Sequence, residues 1–147
     1  MAQDVAAAMP PFIVMAVQLK GGFVFAADLL RALGRYGVKA DVVFLPSSRL
    51  EDASSDESGL SEVKGHPALF VADVLDTGLH AANAVRLLTK AGAKSVKICT
   101  LLDKPARRVQ KVEADFVGFT IPDRFVVGYG VDHAEDWRFL SYIAAVD

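Results

Sequence analysis

Cysteine is almost absent from this chain of 147 residues: Cys99 stands alone, so no internal disulfide can form. A surplus of positive charge is missing too. Charged residues make up 23% and the formal net charge is -2, which gives no electrostatic means of holding a nucleic-acid backbone. The one tight basic cluster, Arg107, Arg108 and Lys111, is expected on an ordinary solvated face. No apolar run approaches the roughly 18 residues that span a bilayer; the longest near the start, residues 12–17, has the length of a strand. The amino terminus carries Asp4 and no basic segment, against a secretory signal. Together these absences point to a reducing, soluble compartment, most simply the cytoplasm. Cys99 itself reads as a small buried hydrophobe on a strand rather than a nucleophile.

What is present is apolar. Hydrophobic residues form 52% of the chain, ample for one packed core, and a single domain over 1–147 is expected. Strand-length runs recur at 12–17, 42–45, 68–72 and 96–102. Because they do not alternate strictly, they suit strands covered on both faces of a parallel sheet. Between them, 23–36 sets Phe25, Leu29, Leu30 and Leu33 on one helical side before Gly37, and an Ala- and Leu-rich stretch over 81–91 runs into Gly92. Strand and helix in alternation predict an α/β fold with right-handed crossovers. Residues 46–62 break the rhythm with Ser, Asp and Glu, and are expected to form a mobile loop, either a plain surface connection or a lid. Only about ten residues precede the first strand, so a helix covering the sheet is not expected there, and a partner subunit is a candidate cover for the exposed apolar surface.

The chemistry concentrates at 68–80. An apolar strand runs into Asp73 and Asp76, then Thr77-Gly78, then a helix, which places the loop at the carboxyl end of a strand, where open α/β sheets bind ligands. Amides at the helix start, with the Thr77 hydroxyl and Gly78, can cradle a phosphate monoester. The two acids must then face something else: sugar hydroxyls, a divalent cation or a leaving base. Three further segments accompany it in order: Leu19-Lys20-Gly21-Gly22, Leu101-Leu102-Asp103-Lys104-Pro105, and 115–132 with Phe125, Val126 and Asp132, followed by Arg138. Taken singly, these read as a Gly-Gly turn, a solvated lysine, a core aromatic and a surface ion pair.

As an ordered set they resemble the type I phosphoribosyltransferases of the hypoxanthine-guanine branch, from about residue 11 onward. The resemblance implies a parallel-sheet fold with a small carboxyl-terminal hood, the purine-site and hood segment lying over 103–147. It implies magnesium-bound phosphoribosyl pyrophosphate and a purine base as substrates, a nucleoside 5′-monophosphate and pyrophosphate as products, and a homodimer or homotetramer. Lys20, Gly21 and Gly22, often with a cis peptide, and Arg138 would meet pyrophosphate. Asp76, Thr77, Gly78, Leu79 and His80 would surround the 5′-phosphate. Asp73 would hold a ribose hydroxyl directly or through metal-bound water, and Asp132 would help organise the metal. Lys104 would donate to the purine O6, Phe125 would stack on the ring, and the Val126 backbone would read its edge. Asp76 would act as general base or charge stabiliser beside N7, and Lys104 would stabilise charge developing on the ring.

Departures from the family pattern fall on the same segments. Ala72 stands where the family carries a glutamate, His80 and Leu79 replace the small hydroxyl residue and its neighbour, and the 46–62 loop has Ser47-Ser48-Arg49 without a tyrosine. Two functions therefore fit: a purine phosphoribosyltransferase, and a catalytically weakened relative that binds nucleotide or phosphoribosyl pyrophosphate as a sensor. His133-Ala134-Glu135 cannot be a zinc deaminase signature with one cysteine, and neither a Walker A sequence nor a dinucleotide fingerprint is present. His66 reads as a surface residue.

Overall fold

A computed structural model describes residues 1–52 and 56–146. Five strands, β1 (Phe12–Leu19), β2 (Lys39–Pro46), β3 (Pro67–Leu75), β4 (Ser95–Asp103) and β5 (Phe116–Thr120), form one sheet in the order β2-β1-β3-β4-β5, every pairing parallel. The expected α/β architecture is therefore present. Burial on both faces explains the unbroken apolar runs. In β1, Ile13, Met15 and Val17 join one core cluster while Val14 and Ala16 join the other. The first cluster is covered by helix α2 (Phe23–Arg35) through Phe25, Leu29 and Leu33; the second by α4 (Leu79–Lys90) through Ala81, Ala84, Leu87 and Leu88. After these helices the chain turns at Gly37 (φ 78°) and Gly92 (φ 89°), left-handed positions that a Cβ would strain.

Three expectations are corrected. First, a helix does precede the sheet: α1 (Ala2–Ala8) buries Val5 fully and packs with α2, so this chain covers part of its own apolar face. Its alanines favour the helix and Asp4 sits in the first turn, 2.9 Å from the terminal amine. Second, the described part of the 46–62 stretch is not loop throughout, and residues 53–55 lie outside the described residues. Pro46 closes β2, Ser47–Leu50 form the short helix α3, and a 3₁₀ turn spans Ser61–Val63. Leu50 and Leu60 within the stretch, and Val63 just after it, are buried in the second cluster. Third, Arg108 is no solvated cation: it lies half-buried and donates to the carbonyls of Leu75 and Asp76 and to the Asp103 carboxylate. Arg107 and Lys111 do remain exposed.

Beyond the sheet, β6 (Phe125–Val127) and β7 (Ala144–Val146) form a two-stranded antiparallel hood. Cys99 is fully buried, and burial pushes its thiol up to about 12, as suits an inert core residue. No helix among the described residues is long and apolar enough to cross a membrane.

Candidate active site

The carboxyl ends of β1, β3 and β4 converge, and the hood closes over them. Where β1 ends, the Leu19–Lys20 peptide is cis, and the Gly22 amide donates to Gln18 O at 3.1 Å. The two glycines are demanded by close packing. A Cβ on Gly21 would stand 1.8 Å from Asp73 Oδ2, and one on Gly22 would stand 2.7 Å from Gln18 O. From the other side, Gly130 (φ 97°) lays the hood on this turn, so tightly that its Cβ would fall 2.5 Å from Gly21 O.

Asp73 belongs to β3 itself, which runs past it to Leu75. Burial pushes its carboxyl up, partly offset by backbone hydrogen bonds and the Arg138 charge. Arg138 pairs with Asp132 at 2.9 Å and Glu135 at 3.2 Å, and donates to Gly130 O at 2.8 Å. Lys20 meets the same Glu135 at 2.9 Å. These charges, with Gly21 and Ser47, line a cleft of about 570 Å³. Glu135, which lines the cleft, and the nearby Ala134 and Trp137 hold left-handed backbone, at a cost of ~1 kcal/mol or more each. The Glu135 amide is steadied by Asp132 Oδ2 at 2.9 Å.

Adjacent to it, a cleft of about 380 Å³ is lined by Gln18, Asp73, Asp76, Thr77, Leu79 and His80. Gly78 (φ 82°) precedes α4 in the left-handed conformation. The loop is braced locally, since the Thr77 amide donates to Asp76 Oδ1 at 2.6 Å and the Leu79 amide to Thr77 Oγ1 at 3.3 Å. It is braced from outside by Arg108 on the Leu75 and Asp76 carbonyls, and by the Val109 and Gln110 amides on Thr77 O at 2.9 Å each.

Lys104 and Phe125 lie together at the third corner. Lys104 is buried, its amide donating to Leu75 O at 2.9 Å and its ammonium to Arg124 O at 2.6 Å. Phe125 is 50% exposed and meets His133 edge-on at 5.0 Å, while Val126 is buried opposite Ala145. Neither Lys104 nor Phe125 lines the two clefts just described. Ala72 is buried in the second core cluster. His66 is exposed against Phe12.

This arrangement has counterparts. Residues 9–134 match the family model of the phosphoribosyl transferase domain. The chain belongs to the type I phosphoribosyltransferases. Within that family it falls in the hypoxanthine-guanine branch. It is 41% identical over 133 residues to a hypoxanthine-guanine phosphoribosyltransferase of Bacillus subtilis, a match covering 87% of this chain and 73% of the relative. It is 38% identical over 141 residues to a hypoxanthine phosphoribosyltransferase of Escherichia coli, covering 91% and 78%. Among solved structures, the Leishmania tarentolae enzyme in complex with GMP superposes with a TM-score of 0.88 at 31% identity, over 99% of this chain and 87% of that one. The Trypanosoma cruzi enzyme in complex with the product IMP gives 0.85 at 32% identity, over 99% and 80%.

Residue patterns alone left out several groups that shape this phosphoribosyltransferase site: Gln18, Arg108, Asp103 and Glu135. A signal existed for Gln18, the one polar residue in the apolar run of β1. None existed for the grip of Arg108 on the loop, since the two carbonyls it holds are 32 and 33 residues away.

Proposed function

We propose that the protein transfers the 5-phosphoribosyl group from phosphoribosyl pyrophosphate to hypoxanthine or guanine, with xanthine as a further acceptor to be tested, acting in purine salvage in the cytoplasm. The observation that carries this reading is the pairing of two clefts across Asp73: one with Lys20, Gly21 and Arg138, the other with Asp76 to His80. A pyrophosphate in the first and a 5′-phosphate in the second would stretch one ribose between them. Relatives named for hypoxanthine and guanine, and solved structures holding IMP and GMP, support the purine as acceptor.

In this reading Lys20, Gly21, Gly22 and Arg138 bind the leaving group, a charge-assisted contact on the Arg138 side. Thr77, Gly78, Leu79 and His80 hold the 5′-phosphate at the start of α4. Asp73 takes a ribose hydroxyl. Phe125, half exposed, stacks on the base, the Val126 backbone reads its edge, and Lys104 donates to O6 while stabilising charge on the ring. As the base nitrogen attacks the anomeric carbon and the bond to pyrophosphate breaks, Asp76 stabilises or accepts the proton leaving the ring.

No cluster of three metal-ligating side chains exists among the described residues, while Asp73 and Asp132 line the same cleft. Magnesium commonly takes one or two carboxylates and fills its shell with water and phosphate oxygens, so this donor set fits an ion arriving with pyrophosphate. Asp73 and Asp132 would hold it, and it would neutralise charge on the departing group. Exposed Phe139 and Tyr142, with Trp137 stacked on Phe139 at 6.4 Å, offer an apolar surface for a homodimer or homotetramer. Ala72, buried and lacking any acid, favours a second reading: a nucleotide-binding relative with little turnover. A steady-state assay with magnesium, phosphoribosyl pyrophosphate and each base separates the two, since a sensor binds nucleotide and forms no product.

A further inference from the structure

Gln18 is the only polar side chain of β1, and it is buried. A buried amide needs partners for its donors and acceptor. Its Nε2 donates to Ser47 Oγ at 3.5 Å and meets His80 Nδ1 at 3.1 Å. The Ser47 hydroxyl gives its one proton to Leu19 O at 2.7 Å, so toward Gln18 it can only accept. That orients the amide with its nitrogen toward Ser47 and His80. An amide nitrogen only donates, so His80 Nδ1 must be the acceptor and the ring proton resides on Nε2. The hydrogen bond of the ring to Gln18 uses Nδ1, and His80 lines the cleft with Thr77 and Leu79. Gln18, His80 and Ala72 also line a small space of about 10 Å³.

We propose that Ser47, Gln18 and His80 form a hydrogen-bond relay that holds His80 as a neutral donor, its Nε2–H given to the 5′-phosphate, with Gln18 as the positioning residue. The inference rests on the phosphoribosyltransferase reading above and adds the chemistry by which this chain, lacking a hydroxyl at position 80, grips the phosphate. The relay also joins three segments: the Leu19 carbonyl at the glycine turn, the start of α3, and the first turn of α4. Asp73 and Asp76 line the same cleft as His80. With Nδ1 occupied by Gln18, the ring supplies its hydrogen bond without a second proton.

The test uses the full chain, with inosine 5′-monophosphate as probe and inosine as its phosphate-free control, alongside nitrogen NMR of the histidine rings. The wild type should show His80 protonated on Nε2 alone. His80→Ala should weaken the nucleotide roughly ten- to a hundredfold, the scale of one hydrogen bond to a charged group, and leave inosine unchanged. His80→Gln, which keeps an N–H donor, should recover most of the loss. Gln18→Leu should turn the single His80 tautomer into a mixture and weaken nucleotide binding less than His80→Ala does. A wild-type His80 protonated on Nδ1, or a His80→Ala protein that binds nucleotide as tightly as wild type, overturns the relay while the transferase reading stands. A wild type that binds no nucleotide overturns both.

Discussion

The Asp76 carboxylate accepts from the Thr77 amide at 2.6 Å, and the Asp76 carbonyl is gripped by Arg108. The side chain is therefore positioned before any base arrives, as a group acting on a developing charge should be. Asp76→Asn keeps the size and removes the charge; kcat should fall by about two to three orders of magnitude with little change in KM for phosphoribosyl pyrophosphate. Steady-state kinetics reads this directly, and unchanged kcat would remove Asp76 from the chemistry. Gly21 has no room for a side chain either. A Cβ there collides with the Asp73 carboxylate at 1.8 Å, so Gly21→Ala must displace either the turn or Asp73. KM for phosphoribosyl pyrophosphate should rise at least about tenfold, the cost of one misplaced charged contact. Both residues were legible in the sequence, because an acid before Thr-Gly and a double glycine after a strand are local signals. Gln18 and Arg108 were not: their partners lie 62 residues away for the Gln18–His80 pair and up to 33 for Arg108.

Among elements, the strands and the two long helices follow from hydrophobic periodicity, since each buries the side its pattern marks. Edges were less legible. Asp73 lies inside β3, because the ladder to β4 continues through Val74 and Leu75 to Leu102 and Asp103. The hood was invisible as a contact surface, for its anchor to α2 is the hydrogen bond from Tyr129 to Asp28, 101 residues apart. That bond, first, and Arg31, second, hold the Asp28 carboxyl below its ordinary value near 3.8. The folded form thus binds the proton less readily than the unfolded chain, so the contribution is present above about pH 4 and is lost as pH falls through the lowered folded value. Urea denaturation from pH 6 down to pH 3 should show this loss, and Tyr129→Phe should flatten it; an unaltered slope would mean that the contact does not form in solution. Burial and the Asp28 bond together raise the Tyr129 hydroxyl to about 12, in keeping with a proton shared toward a carboxylate.

At the scale of the whole molecule, a parallel sheet needs cover on both faces, and α1 is part of that cover. The sequence pattern did not mark it, since seven residues with a single buried side chain leave no period to read. Val5 is fully buried beneath it. Val5→Ala should lower unfolding free energy by about 1–3 kcal/mol, measured by denaturant titration, while kcat stays near wild type. The sheet, its two covering layers and the hood exist to bring the ends of three strands together, and the claim that they do so for phosphoribosyl transfer has one direct test. With magnesium, phosphoribosyl pyrophosphate and hypoxanthine or guanine, the purified protein should release inosine or guanosine 5′-monophosphate and pyrophosphate in equal amounts, and chelating the metal should stop both. A folded protein that yields neither product with either base would contradict the account.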